Sequence, residues 1–195
     1  MRHAGRRLLF SLPIFALALC SNAQPEFAHL SIREGLSQST VNCIVQDREG
    51  YVWFGTQDGL NRYDGYAFLT LKHDPADSTS LSDNYVTSLC VDGDGVLWVG
   101  TRNGLDCWRP ETRSFRRYSA WGDNCRALCE GHDHVLWVGT ARGLVRINAQ
   151  RSSAELFAPP GPVGTALSDV RSVLCDSSGV LWIAANARLF RVDPA

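Results

Sequence analysis

The stretch Asp92 to Leu105, DGDGVLWVGTRNGL, decides the fold. Its first four residues resemble the start of a calcium loop. A loop of the EF-hand kind needs oxygen ligands at alternating positions, a glycine at its sharp turn and a closing glutamate. Those places hold Val96, Leu97 and Asn103, so the ligand set fails. Asp and Gly followed at once by an apolar run, Leu97-Trp98-Val99, instead read as a hairpin turn entering a strand.

The phrase repeats. Asp47 to Thr56, Gly131 to Thr140 and a degraded copy, Asp176 to Ala185, match Asp92 to Thr101. Trp53, Trp98, Trp137 and Trp182 fall at spacings of 45, 39 and 45 residues. Each of the first three is followed by Gly-Thr (Gly55, Gly100 and Gly139 supply the glycine) and then by Gly-Leu, at Gly59, Gly104 and Gly143. The fourth copy has Ala184-Ala185 and Arg188-Leu189 there, which leaves its turn geometry in question. Upstream, Val41, Val86, Cys125 and Val170 keep the same register.

Each copy reads as strands. Val86–Val91 leads into the Asp/Gly turn, and Leu97–Thr101, apolar on both faces, suits a sheet covered on both sides. By the two-residue period Trp98 and Gly100 share one face, and the glycine leaves room for a neighbour. A third strand follows Gly-Leu, and a fourth includes Phe68–Leu71 or Phe115–Tyr118. Four strands in a unit of roughly 43 residues are the signature of a β-propeller blade. The expected fold is therefore all-β: four four-stranded blades, the last incomplete, belonging to a larger ring. The four tryptophans are expected to lie buried between neighbouring sheets.

The expected organisation is a signal peptide at 1–23 and a partial propeller at 24–195. Arg2, Arg6 and Arg7 precede the apolar stretch Leu8–Leu19 and the small residues Ser21-Asn22-Ala23. Blades are placed at about 34–73, 81–118, 124–157 and 167–195, with 27–32 expected as a strand that completes the last blade of the full ring. With three of the 19 basic residues in the leader, the remainder carries 16 basic and 20 acidic residues, a formal −4. No basic cluster is present, which argues against nucleic acid as a partner.

The seven cysteines mostly stand in apolar register positions: Cys125 for valine, Cys90 and Cys129 beside Val45 and Leu174. Cys107 is an outlier, in a slot that holds Arg62, Arg146 and Arg191 elsewhere. No disulfide framework is expected. His132-Asp133-His134 has metal-ligand residue types but nothing at a spacing that completes a site. No metal, cofactor or catalytic residue is assigned. None of the five histidines lies in a hydrolase-type motif, and the inner strands are mostly Val, Ile, Leu, Ser and Cys, with Gln46 and Glu130 as the polar exceptions, a composition poor for acid–base catalysis.

Turns alternate between the two ends of an antiparallel meander. The loops between second and third strands therefore share a rim with the blade-to-blade links. Their residues differ between units: Gln57-Asp58, Arg102-Asn103, Ala141-Arg142 and Asn186-Ala187, with Trp121 in a link. Variable polar groups beside an aromatic on a constant scaffold suit a polyhydroxylated ligand. Gln57, Asp58, Arg102, Asn103, Trp121 and Arg142 are the candidate binding residues, with Arg102 as forked donor and Trp121 as stacking surface.

Glu34 to Phe68, EGLSQSTVNCIVQDREGYVWFGTQDGLNRYDGYAF, resembles the two-component regulator propeller repeat. Its marks are Gly35-Leu36-Ser37, Asp47 with Gly50, Trp53–Thr56 and Gly59–Gly65. The resemblance implies the exported, periplasmic sensor of a bacterial membrane signalling protein, membrane-anchored and dimeric. It implies a small-molecule ligand, often an oligosaccharide, and a cytoplasmic output such as a histidine kinase or diguanylate cyclase. Two other classes stay open on the residues alone: an exported propeller enzyme acting on polysaccharide, and a protein-interaction scaffold.

Overall fold

A computed structural model describes residues 27–118, 124–159 and 167–193. The signal-peptide reading of 1–23 and the candidate Trp121 lie outside the described residues.

Fifteen strands form four antiparallel sheets in sequence order. The first holds β1 (Val41–Gln46), β2 (Val52–Thr56), β3 (Gly59–Tyr63) and β4 (Phe68–Leu71). The second holds β5 (Val86–Val91), β6 (Leu97–Thr101), β7 (Gly104–Arg109) and β8 (Ser114–Arg117). The third holds β9 (Ala127–Glu130), β10 (Leu136–Gly139), β11 (Leu144–Ile147) and β12 (Ala154–Phe157). The fourth has three strands, β13 (Ser172–Cys175), β14 (Leu181–Ala185) and β15 (Arg188–Val192). The first strands of successive sheets, β1, β5, β9 and β13, are neighbours, so they line the axis. This is an arc of four propeller blades.

Three separate cores fill the three spaces between sheets. Trp53, Leu60, Val86, Val99 and Trp108 pack between the first and second. Trp98, Leu105, Cys125, Leu136 and Val138 pack between the second and third. Trp137, Val170, Val173, Leu181 and Ile183 pack between the third and fourth. Trp53, Trp98 and Trp137 are 1–2% exposed. Removing roughly 200 Å² of indole from water contributes about 5 kcal/mol for each. Trp53 meets the edge of Trp108 across the gap at 5.6 Å. Trp182 differs from the expectation: it is only half-buried, because its face of the fourth sheet has no following sheet against it.

The glycine two residues after each buried tryptophan allows this approach. A Cβ at Gly55 would lie 2.5 Å from Val86 Cγ1, and one at Gly139 would lie 2.8 Å from Val170 Cγ1. Any side chain there would push the sheets apart. In the fourth copy, where Arg188 replaces the Gly of Gly-Leu, the turn moves back: Asn186 and Ala187 take φ of 52° and 57°. In the other three copies Gly59, Gly104 and Gly143 carry the positive φ.

Residues 27–32 form no strand within these four sheets; the expectation that they complete the last blade of a full ring concerns a closure the arc does not contain. Ser31 and Glu34 build a reciprocal capping box that turns the chain into a short 3-10 segment, Ile32–Glu34, and residues 27–31 pair with no sheet.

Candidate functional site

The Asp/Gly turns have a job other than metal binding. Asp47 Oδ1 accepts the backbone N–H groups of Glu49 and Tyr51, while Oδ2 accepts the Trp53 indole N–H at 2.7 Å. Asp92 does the same for Asp94, Val96 and Trp98, and Asp176 for Ser178, Val180 and Trp182. Each carboxylate closes a turn and fixes the orientation of the core indole. Its neighbours Gly50, Gly95 and Gly179 take the left-handed conformation, as does His134 in the third copy. His132 and His134 have separate partners, the Asp176 carbonyl and Glu130. Among the described residues no group of three or more ligand-type side chains could hold a metal.

Glu130 and Gln46, at the ends of β9 and β1, are both engaged. Gln46 donates to the Gly50 carbonyl of its own turn. Glu130 accepts from Arg151, from His134 and from the Gly93 backbone N–H. Arg151 also reaches Asp92 at 3.1 Å and lies 5.4 Å from the centre of the Trp98 ring. That position explains Cys107. In the first sheet Arg62, opposite Trp53, supplies the cation over the indole at 5.8 Å. Opposite Trp98 the pairing residue is Cys107, and the third sheet supplies the guanidinium instead. The six described cysteines are free thiols, and burial first of all raises Cys43 and Cys129 to about 12 and Cys90 and Cys107 to about 11.

The opposite rim is organised as the alternation of turns requires. The Gly59 N–H donates to the Asn84 carbonyl, Arg102 to Tyr85, Asn124 to Arg102 and Asp169 to Ala141. Links and β2–β3-type turns therefore form one continuous surface. The long link 72–85 is held by Arg117, whose guanidinium donates to the Ser80 and Leu81 carbonyls at 3.0 and 2.9 Å. His73 Nδ1 adds a 2.6 Å contact to Leu81 O.

Of the candidates, Gln57, Arg102, Asn103 and Arg142 are exposed on this rim. The Arg102 guanidinium carbon sits over Tyr85, 3.6 Å from the ring centre, a cation–π contact that favours this position of its fork. Asn103 donates to Ser82 O at 3.4 Å. Asp58 is engaged in an ion pair with Lys72 at 2.7 Å. Tyr85 is an aromatic on this rim absent from the candidates drawn from the sequence; its signal was the position one residue before the Val86 register. A second missed set starts the axis-lining strands: Asn42, Thr87, Arg126 and Arg171, each one residue after Val41, Val86, Cys125 and Val170. Asn42 donates to Val86 O, Thr87 to Cys125 O and Arg126 to Asp169, so the first three reach forward to the next sheet.

The model of the two component regulator propeller family matches residues 35–58 and 80–103. These spans each run from a blade's opening Leu-Ser through its tryptophan strand. Two stretches, one in each of the first two sheets, match that repeat. Over 86 residues the chain is 43% identical to histidine kinase P4 of Formosa agariphila; the match covers 42% of the chain and 6% of that kinase. The fold is that of the extracellular domain of a one component system from B. thetaiotaomicron, at a TM-score of 0.69 and 21% identity over 82% of the chain and 22% of that structure. A hybrid two component system's extracellular domain from the same organism gives 0.53 and 24%, over 83% and 30%. The chain thus spans under a third of each of these relatives. An ancestral GH74 enzyme, at 0.60 and 17% identity over 79% of the chain and 23% of the enzyme, shares the propeller fold alone.

Proposed function

We propose that this propeller is the exported, periplasmic ligand-sensing region of a bacterial membrane receptor. It takes a polyhydroxylated small molecule of the oligosaccharide class and signals to a cytoplasmic output module of histidine kinase type. Within a dimeric, membrane-anchored receptor the described arc contributes part of the sensor and no chemistry. The observation that carries the reading is the link-side rim: non-repeating polar side chains on a repeating scaffold, with the Arg102 guanidinium over Tyr85 at 3.6 Å. Rigid scaffolds with variable loops are where binding concentrates. A flat aromatic beside a guanidinium offers stacking and paired donors to a sugar ring.

The test is calorimetric titration of the complete extracellular region with oligosaccharides of defined length, comparing wild type with Arg102→Ala and Trp121→Ala. A loss of affinity of about tenfold in either variant, one charge-assisted hydrogen bond or one stacked ring, supports the reading. Unchanged affinity in both removes the ligand from this rim.

A further inference from the structure

Positive charge on the link-side rim is gathered at one end of the arc. The first part of that rim carries Asp58, Asp74, Asp77 and Asp83; from Arg102 onward its described part holds Arg102, Arg126, Arg142, Arg171 and Arg188, and one acid, Asp169. On the opposite rim Arg48 and Arg151 are bound to the Gly93 carbonyl and to Asp92. The attraction for an anion is therefore local to the link side of the later sheets.

The arginines are also organised. The Arg126 guanidinium bonds Asp169 Oδ1, and Arg171 Nε donates to Asp169 Oδ2 at 2.9 Å. One carboxylate thus holds two guanidiniums side by side. Asp169 itself sits at a φ of 48°, with its N–H fixed to Ala141 O, next to Arg142. Arg171 remains 75% exposed and Arg126 30%. Arg171 uses its Nε on Asp169, while a guanidinium carries four more N–H donors. In the first two sheets the same register holds Asn42 and Thr87, whose side chains bond only backbone carbonyls in this register. The charge enters at the third and fourth sheets.

We infer that the link-side rim binds an anionic saccharide, one bearing carboxylate or sulfate groups, anchored on the Arg126–Asp169–Arg171 cluster. The inference rests on the reading of this rim as the ligand face and adds the ligand's charge. Planar oxyanions match the guanidinium fork, and two forks held by one acid present a pre-set pair of donors.

The experiment titrates the complete extracellular region with three probes of equal length: an oligouronate, a sulfated oligogalactan and the corresponding neutral oligogalactan. Wild type is compared with Arg171→Gln, Arg126→Gln, Arg102→Ala and, on the other rim, Arg109→Gln, with thermal melting to confirm that each variant is folded. The expected result is binding of one or both anionic probes with affinity falling as salt rises, a loss of about tenfold or more in Arg171→Gln and Arg126→Gln, and no change in Arg109→Gln. Which anionic probe binds separates carboxylate from sulfate recognition. Equal or tighter binding of the neutral probe, lost in Arg102→Ala, would keep the rim and overturn the charge inference. Anion binding untouched by all three rim variants would overturn both. No binding of either anionic probe would overturn the inference outright.

Discussion

Replacing Asp106 with asparagine should stabilise the protein at neutral pH and not at acid pH. Asp106 is fully buried on β7, and Ser82 donates both its backbone N–H and its hydroxyl to Oδ2, at 2.9 and 2.7 Å. Oδ1 is buried with no hydrogen-bond partner. Burial is the largest influence and raises the carboxyl from 3.8 to about 6, against the lowering effect of the Ser82 bonds and the nearby Arg117 and His73. The folded state therefore holds this proton more tightly than the unfolded state. Between roughly pH 4 and 6 stability falls as pH rises, and above 6 the full cost of the buried anion is present. At about 1.4 kcal/mol per pH unit, that cost is on the order of 3 kcal/mol.

The equivalent residue in the first sheet shows how asparagine fits. Asn61 accepts the Ser37 N–H through Oδ1 at 3.0 Å and donates through Nδ2 to the Ser37 hydroxyl at 2.7 Å. The amide of Asp106→Asn in that arrangement would satisfy both atoms of Ser82, whose hydroxyl can donate onward to Thr101 Oγ1, 2.7 Å away. Urea unfolding of wild type and Asp106→Asn from pH 4 to 8 measures the effect. The expected gain is about 1–3 kcal/mol at pH 7.5, vanishing near pH 4, with a flatter profile for the variant. A variant less stable than wild type at pH 7.5, or two parallel profiles, would refute the reasoning.

Arg151→Ala leaves Asp92, 3% exposed, and Glu130, 13% exposed, without their shared cation. It should cost about 3–5 kcal/mol, the usual penalty for stranding one side of a buried pair. Adding Cys107→Arg restores a guanidinium opposite Trp98 and should recover part of that loss in the same urea assay; no recovery would remove the substitution argument. The end faces of the arc expose Ile44 (62%), Leu174 (59%) and Leu189 (68%). Residues 24–195 expressed alone should therefore self-associate, and a monodisperse monomer in sedimentation would count against uncovered sheet faces.

The period of the tryptophans made the blade legible, because a sheet covered on both faces demands the same bulk and the same glycine at the same place in every copy. The carboxylate six residues before Trp53, Trp98 and Trp182 was equally visible, but its turn role hid its second bond, to the indole. The helix-start signature of Ser31 and Glu34 was present in the sequence beside the strand-like residues 27–32, and within the arc it forms the short 3-10 segment. The Arg151 bridge could not be read from spacing, since it joins a turn of one sheet to the floor of another. Arg126 and Arg171 were recoverable by register beside Asn42 and Thr87, but the Asp169 bridge that joins them comes from a blade-to-blade link that has no fixed spacing to the repeat. Trp182 has the right repeat position and lacks only a neighbour.

The central claim is that the link-side rim is where this propeller meets its ligand. Hydrogen–deuterium exchange with and without a saturating acidic oligosaccharide tests it directly. The account predicts slowed exchange at Asn84–Tyr85, Arg102–Asn103, Asn124–Arg126 and Ser168–Arg171, with the Asp47–Gly50 and Asp92–Gly95 turns unchanged. Protection confined to those turns, or no protection on either rim, would contradict it.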